Sequence, residues 1–512
     1  MPFIDLNKKE TLSAKQYDFV IIGAGASGIM LAVKLSASGK QVLLVESGHF
    51  SVDEERQQLN EVTHSSKKLE NAVWGRKRAV GGTTLAWGGQ SLPFSRIDFT
   101  ERDWVNNSGW PISFDDLEAH YKMANEFMQI DTLDYRDDIL PNIKLSPAPD
   151  FDTSVINYHV SKWANEPNFV NLYRKQLEQQ IDVVYNAVLI QVIKEGTAIT
   201  AIQIANFNKQ HFTIAVSGRL ILSVGGIETS RILLLNKLGN PEWVGKCFMD
   251  HPCIEVGLVR TSNEYALQRQ FNTHIWQGRK YSIRLSLSEQ VQQEKKLLNC
   301  SGTIMFTASA EQFDPYAELK AFKKDFKIGR LFKVSGKSIE ILKSVIAYIR
   351  HRFYYKINTE AKLLLMMEQE PDTGSYISLS DQVDIFNKPK ANINWVITKK
   401  TWETAVSTAK YIERELERLK LGTVSLYKHI DLDTSSWSSY LTDVNHHMGG
   451  ARMSGSEKEG VVDSNLKVWG TDNLYICSCA VFPTSSHSNP TLTMLALANR
   501  LHQHLLSTSS PV

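Results

Sequence analysis

Apolar residues first gather over residues 18–22, where Phe19, Val20, Ile21 and Ile22 follow one another without a polar break. A continuous run of that length, rich in β-branched residues, predicts a strand buried on both faces, as a parallel sheet requires. Ile29, Ala32, Val33 and Ser36 then fall at helical spacing, and Gly39 predicts the end of that helix. A second apolar strand over 41–45 finishes at Glu46. Residues 98–121 are aromatic-rich, with a turn at Gly109-Trp110-Pro111 and a helix start capped by Ser113 with Asp115 and Asp116 in its first turn. Residues 181–222 read as β-rich, hairpin-like around Ile204 and Phe212, and run into Gly225-Gly226 and a helix over 227–235. Glycine thins out between 253 and 440, where strands are predicted at 376–380 and 391–396 and a long helix at 402–419, ended by Gly422. From 440 the text turns glycine-rich again.

This order predicts an α/β protein. A Rossmann-like, doubly wound nucleotide lobe (1–100, 181–252 and 441–512) is interrupted by an α+β substrate lobe of antiparallel sheet plus helices (101–180 and 253–440). The segment ending in Asp250-His251-Pro252 marks the lobe boundary. No internal repeat is evident.

The turn between the first two strands carries the first chemistry. In Gly23-Ala-Gly25-Ala-Ser-Gly28, Gly23 permits the tight turn, Gly25 lets backbone N–H groups approach a pyrophosphate, and Gly28 lets helix and strand pack closely. The helix N-terminus favours negative charge. Glu46, at the tip of the second strand, is placed to accept hydrogen bonds from ribose hydroxyls and disfavours a 2′-phosphate. Strand, turn, helix, strand and acid agree on a dinucleotide, with FAD and NAD both open at this point. Two further glycine pairs lie in Val80-Gly81-Gly82-Thr-Thr-Leu-Ala-Trp87-Gly88-Gly89, where φ freedom or close approach to something flat or charged is needed.

Composition acts mainly by exclusion. A chain of 512 residues with 42% hydrophobic and 22% charged residues is ordinary globular protein and long enough for more than one lobe. Its 57 basic and 55 acidic side chains leave a formal charge of +2, so no whole-chain field calls for nucleic acid. Five cysteines are too few for a disulfide framework at this size. Cys477 and Cys479, two apart in a strand-like run, share one face in a geometry poor for a mutual bond. The opening residues lack the apolar core of a signal peptide, and no stretch reaches the roughly 18 apolar residues of a spanning helix, so a cytoplasmic, reduced-thiol protein is expected. His446-His447 lacks the spacing of a zinc helix motif, and no metal is expected.

Taken together, the motifs resemble the glucose–methanol–choline family of FAD-dependent oxidoreductases, nearest its pyranose-oxidase-like branch. The resemblance covers most of the chain. It is carried by the first glycine turn with Glu46, by the second glycine block, and by Gly225-Gly-Ile-Glu-Thr-Ser-Arg231 and Asp250-His251-Pro252. Towards the carboxyl end it is carried by His446-His447-Met-Gly449-Gly450-Ala-Arg452, Val462-Asp463, Asp472-Asn-Leu474 and Asn489-Pro490-Thr491-Leu-Thr493. It implies oxidation of an alcohol by hydride transfer to flavin N5. His446 takes the catalytic place and Asn489 that of its partner, with His487 as a competing partner. It further implies FAD contacts from Gly23, Gly25, Gly28, Glu46, Gly81, Gly82, Trp87, Gly88, Val188, Gly225, Ala480 and Thr491.

The residue types suit that chemistry. A C–H bond gives up hydride only as its oxygen becomes alkoxide-like. An imidazole can take the hydroxyl proton, and an amide such as Asn489 can donate to the oxygen as charge develops. Asn489 is also read as a helix N-cap before Pro490. His447 is read as packing or touching the cofactor, and His251 as turn architecture. Some branch members attach FAD through a His near the Trp of the second block; here Ala86 precedes Trp87 and no His lies between Val80 and Gly89, so non-covalent FAD is expected. A carbohydrate-like substrate follows from the branch resemblance and the available Trp residues, with Glu368 and Gln369 placed to face a polyol. The electron acceptor, oxygen or another, stays open. Two other classes use the same scaffold, an FAD-containing non-redox lyase and an inactive flavin-binding accessory protein.

Residues 320–356 are strongly basic (Lys320, Lys323, Lys324, Lys327, Arg330, Lys333, Lys337, Lys343, Arg350, Arg352 and Lys356). Ile339, Leu342, Ile346, Ile349 and Phe353 form one apolar helix face. The favoured reading is a helix covering the substrate lobe with a solvated basic back; the alternative is contact with a membrane surface or an anionic, lipid-linked sugar.

Overall fold

A computed structural model describes residues 3–12, 15–136, 139–143, 145–308, 338–353, 355–356 and 359–508. The apolar runs form a six-stranded, all-parallel sheet. From edge to edge its order is Ile4–Asp5, Asp182–Tyr185, Val42–Val45, Phe19–Ile22, Arg219–Leu222 and Leu474–Ile476. Phe19–Ile22 and Val42–Val45 are buried at every position, as an uninterrupted apolar run requires when layers cover both faces. The helix Ala26–Ala37 joins these two strands and stops two residues before Gly39. Thr491–Ser507 packs on that helix, and Asp115–Phe127 packs on Thr491–Ser507. The edge strand Ile4–Asp5 is too short and too polar to be legible in the apolar pattern.

The second large sheet is antiparallel throughout. Its order is Thr423–Leu426, Cys253–Arg260, Thr359–Met367, Cys300–Ala308, Arg279–Leu287, Ile156–Trp163 and Gln90–Ser91, with His274–Trp276 beside Arg279–Leu287. The long helix Lys399–Arg418 covers one face and buries Trp402, Val406, Ala409, Ile412 and Leu416 there. Alternation then fixes the other face. In Arg279–Leu287, Tyr281, Ile283 and Leu285 join the core, so Ser282 and Arg284 point the opposite way, opposite Ser161 and His159 of the neighbouring strand. The polar face of this sheet is the one turned toward the nucleotide lobe, since the His159 ring on it lies 5.6 Å from that of His487, which follows the parallel strand Leu474–Ile476.

Residues 101–180, assigned as a block to the substrate lobe, are divided between the two cores. Leu117, Tyr121, Phe127, Phe169 and Leu177 belong to the core of the parallel sheet, whereas Ile156, Tyr158 and Val160 belong to the other. The basic stretch departs further from expectation. Residues 309–337, and most of its lysines with them, lie outside the described residues. In the helix Ser338–His351, Leu342, Val345, Ile346 and Ile349 are exposed, while Ala347 beneath them is fully buried. Of the expected apolar face, Leu342, Ile346 and Ile349 therefore do not cover the lobe, whereas Phe353 is fully buried beside His274. Among the described residues no helix is long and apolar enough to cross a membrane.

Candidate functional site

A cavity of about 730 Å³ opens at the carboxyl ends of the central parallel strands, where open α/β sheets take their ligands. Ile22, Gly23 and Gly25 line one part of it and Glu46 stands at the end of the next strand. A Cβ on Gly28 would lie 1.9 Å from the Gly23 carbonyl oxygen, so this glycine is what allows the helix to meet the strand. A Cβ on Gly25 would instead point into open space, while on another side Gly82 packs so closely that a Cβ at 82 would come within 2.8 Å of the Gly25 α-carbon. The second glycine block is thus folded onto the first. The Glu46 carboxylate accepts from the backbone of Ala24 at 2.9 Å and Gly48 at 2.8 Å, and burial raises its pKa against the opposing pull of those bonds.

Beside Glu46 the cavity is basic. Arg78 donates to Glu228 at 2.7 Å, and Arg231 donates to Glu228 at 2.9 Å and to Asp384 at 2.6 Å. Arg78, near Arg231 and Arg76, holds the buried Glu228 down at about 2 despite desolvation. Sequence reasoning passed over this network. Its only local signal is the Arg76-Lys77-Arg78 triplet just ahead of the glycine block, and the carboxylates come from elsewhere.

At the other end stand His446, Asn489, Trp87, Trp163 and Gln90. Asn489 Nδ2 lies 3.5 Å from His446 Nε2. The helix Thr491–Ser507 has Pro490 at its N-cap with no side-chain cap bond. Asn489 therefore does not cap the helix, because its amide is turned toward the imidazole instead. The other nitrogen of His446, Nδ1, lies 2.8 Å from His251 Nδ1, and His251 Nε2 lies 2.9 Å from the Ser485 carbonyl oxygen. Beneath the pair, Asp250 accepts the backbone N–H of His251 at 2.6 Å, of His446 at 3.1 Å and of Val444 at 3.2 Å. Burial and the nearby Asp443 push Asp250 up to about 7. Burial, then the charges of His251, His447 and Arg284, holds His446 well below the usual imidazole range. His251, read from sequence as turn architecture, is thus in direct contact with the candidate base.

Residues 371–498 match the family profile described as GMC oxidoreductase. The fructose dehydrogenase large subunit of Gluconobacter japonicus is 23% identical over 583 residues, covering 97% of this chain and 98% of that one. The carboxyl-terminal quarter of the chain is thus that of a GMC oxidoreductase. The 6'''-hydroxyparomomycin C oxidase of Streptomyces lividus is 32% identical over 120 residues, a stretch spanning 21% of this chain and only 22% of that relative's length. The formate oxidase of Aspergillus oryzae RIB40 shares the fold, with a TM-score of 0.60 at 14% identity over 97% of this chain and 99% of that one.

GMC oxidoreductases are flavoproteins, and this cavity has the parts such a group needs. The open side of Gly25 stands at a helix N-terminus, an acid ends the second strand, and Trp87, Trp163, His446 and His447 are found further along. Of the residues expected to touch FAD, Gly23, Gly25, Glu46, Gly82, Trp87, Gly88, Val188, Gly225 and Thr491 line the cavity. Gly28, Gly81 and Ala480 lie behind its wall. Gly81 donates its N–H to the Ala24 carbonyl at 2.8 Å, and Ala480 is fully buried next to the lining residues Ser478 and Cys479. His447 lines the cavity beside His446, and His487 is buried against His159 outside it. Glu368 and Gln369 do not face a ligand. Glu368 is fully buried and paired with Arg102, and Gln369 accepts from the backbone of Asp250 at 3.0 Å and from Trp395 at 2.8 Å. A buried carboxylate needs its partner more than it can serve a substrate.

Proposed function

We propose that this protein is a GMC oxidoreductase that oxidises a CH–OH group of a sugar or related alcohol, with His446 as the base that takes the hydroxyl proton. The observation that carries the reading is the convergence of His446 and Asn489 on one cavity wall, from segments that meet only in the fold. Low basicity keeps the His446 imidazole neutral at pH 7 and ready to accept a proton. The Asn489 amide is a donor beside the same nitrogen, suited to an oxygen on which charge develops. FAD, when bound without a covalent link, supplies the acceptor for the hydride.

Trp87 and Trp163 support a carbohydrate. Both present ring surface to the cavity and hold their indole N–H groups elsewhere, on the Pro167 carbonyl at 2.8 Å and the Ser282 hydroxyl at 2.9 Å. Gln90 adds a polar edge next to them. The outward apolar residues of the helix Ser338–His351 support contact with a membrane surface.

The deciding experiment mixes protein and a panel of sugars and simple alcohols without oxygen and follows bleaching of the bound flavin. His446→Ala is expected to slow bleaching by roughly 10²–10⁴-fold. Bleaching at the original rate would reject the base, and product formed with no bleaching in the unaltered protein would favour a lyase.

A further inference from the structure

We propose that His251 is a positioning residue: its ring, protonated at Nε2, accepts the Nδ1–H of His446 and so presents the bare Nε2 of His446 to the cavity. The assignment rests on reading His446 as the base and says which nitrogen does the work and what selects it.

The protons follow from the partners. The Ser485 carbonyl has no hydrogen to give, so His251 Nε2, 2.9 Å away, must be the donor. His251 is fully buried, and burial lowers its pKa to about 4, so the ring is neutral and carries one N–H only. Its Nδ1 is therefore a lone pair. His446 Nδ1 approaches that lone pair to 2.8 Å, a contact that two bare nitrogens would not make, and the hydrogen between them belongs to His446. His446 is neutral as well, which leaves its Nε2 unprotonated, facing the donor amide of Asn489 at 3.5 Å. Every hydrogen bond in the chain from Ser485 to Asn489 then has one donor and one acceptor.

The arrangement is built, not incidental. The two rings meet edge to face at 86°, and the Asp250 carboxylate holds the backbone N–H groups of both residues. Asp250 is itself tied through its N–H to Gln369, which Trp395 also holds. An imidazole left alone favours the opposite tautomer, with hydrogen on Nε2, and that form cannot take a proton at the cavity. After proton uptake, the cationic His446 still donates from Nδ1 to His251, now through a stronger, charge-assisted bond. A neutral orienter adds no negative charge, so the base stays weak. The charged and titratable groups around the dyad are His447, His487, Arg284, Asp250 and Glu368. Burial first, and the charges of His251, His447 and Arg284 after it, leave His446 depressed.

The test compares the flavin-loaded protein with His251→Phe, which removes the acceptor, and His251→Asn, whose side-chain oxygen takes the place of Nδ1. Histidine ¹⁵N NMR, with the His446 signals identified by their loss in His446→Ala, is expected to show His446 protonated at Nδ1 in the parent and in His251→Asn, and shifted toward the Nε2–H form in His251→Phe. Anaerobic flavin reduction is expected to fall by roughly 10²–10³-fold in His251→Phe with KM nearly unchanged, and to stay within about tenfold in His251→Asn. A parent protein protonated at His446 Nε2, or a His251→Phe protein that holds flavin and reduces it at the parent rate, overturns the proposal. Should His251→Phe fail to fold, the parent spectrum and His251→Asn decide. Full turnover in His446→Ala would instead remove the base reading, while the NMR of the parent would still judge the tautomer.

Discussion

The candidate base is an imidazole whose basicity has been lowered by its surroundings. Burial comes first, and the neighbouring His251, His447 and Arg284 add to it. The sign of the pH dependence follows. Proton abstraction needs the neutral ring, and a depressed pKa keeps it neutral as pH falls through 6.5, the ordinary value. The acid limb of kcat/KM for anaerobic flavin reduction is thus expected below the usual histidine range, with a flat profile from pH 7.5 to 6.5. A half-drop centred at 6.5 would mean that His446 is solvated in the working enzyme. The same burial acts on stability. His251, His274, His447 and His487 have folded pKa values below the unfolded one, so the unfolded chain binds more protons under about pH 6.5 and acid destabilises the fold. Asp250, raised to about 7, opposes this in part, since its proton uptake favours the folded form between its unfolded and folded pKa values.

Two elements carry most of the expectation. The helix Ala26–Ala37 is seated by Gly28, whose missing side chain is the condition for contact with the Gly23 carbonyl. Gly28→Ala puts a methyl 1.9 Å from that oxygen and must push the helix off the strand. We expect a loss of about 1–3 kcal/mol in stability and weakened flavin retention, read by thermal melting and by absorbance after gel filtration. The helix Ser338–His351 illustrates the opposite lesson. Its three-and-four spacing is genuine, yet Leu342, Ile346 and Ile349 face outward. Periodicity shows that a helix has an apolar side and is silent on what lies against it. Because Lys343 and Arg350 flank the outward residues, the protein is expected to co-sediment with phosphatidylglycerol vesicles, and Leu342→Gln with Ile349→Gln to reduce the bound fraction several-fold. Binding unaffected by those changes, or by reversing the two charges, would dismiss a role for this face.

At the scale of the whole molecule, a parallel sheet and an antiparallel sheet enclose one cavity, and the cofactor's mode of attachment is set by which nucleophiles reach it. No His lies in the glycine block, and burial pushes the Cys479 thiol at the cavity wall up to about 12, far from a thiolate at neutral pH. Flavin is therefore expected to pass into the filtrate when the protein is denatured in guanidinium; yellow colour retained by the polypeptide would show a covalent link. The strand, glycine turn, helix and acid over residues 18–46 were legible because their demands are local: a run of apolar residues, a tight turn, a capless helix start. The carboxyl-terminal motifs pointed to His446 and Asn489 by resemblance. What chain order could not reveal was who meets whom. Glu368 was read as facing a ligand and is instead neutralised by Arg102, 266 positions away. His251 was read as part of a turn and lies against His446, 195 positions on. Such pairings arise when packing brings distant strands to one wall and burial then obliges each polar group to find a partner there.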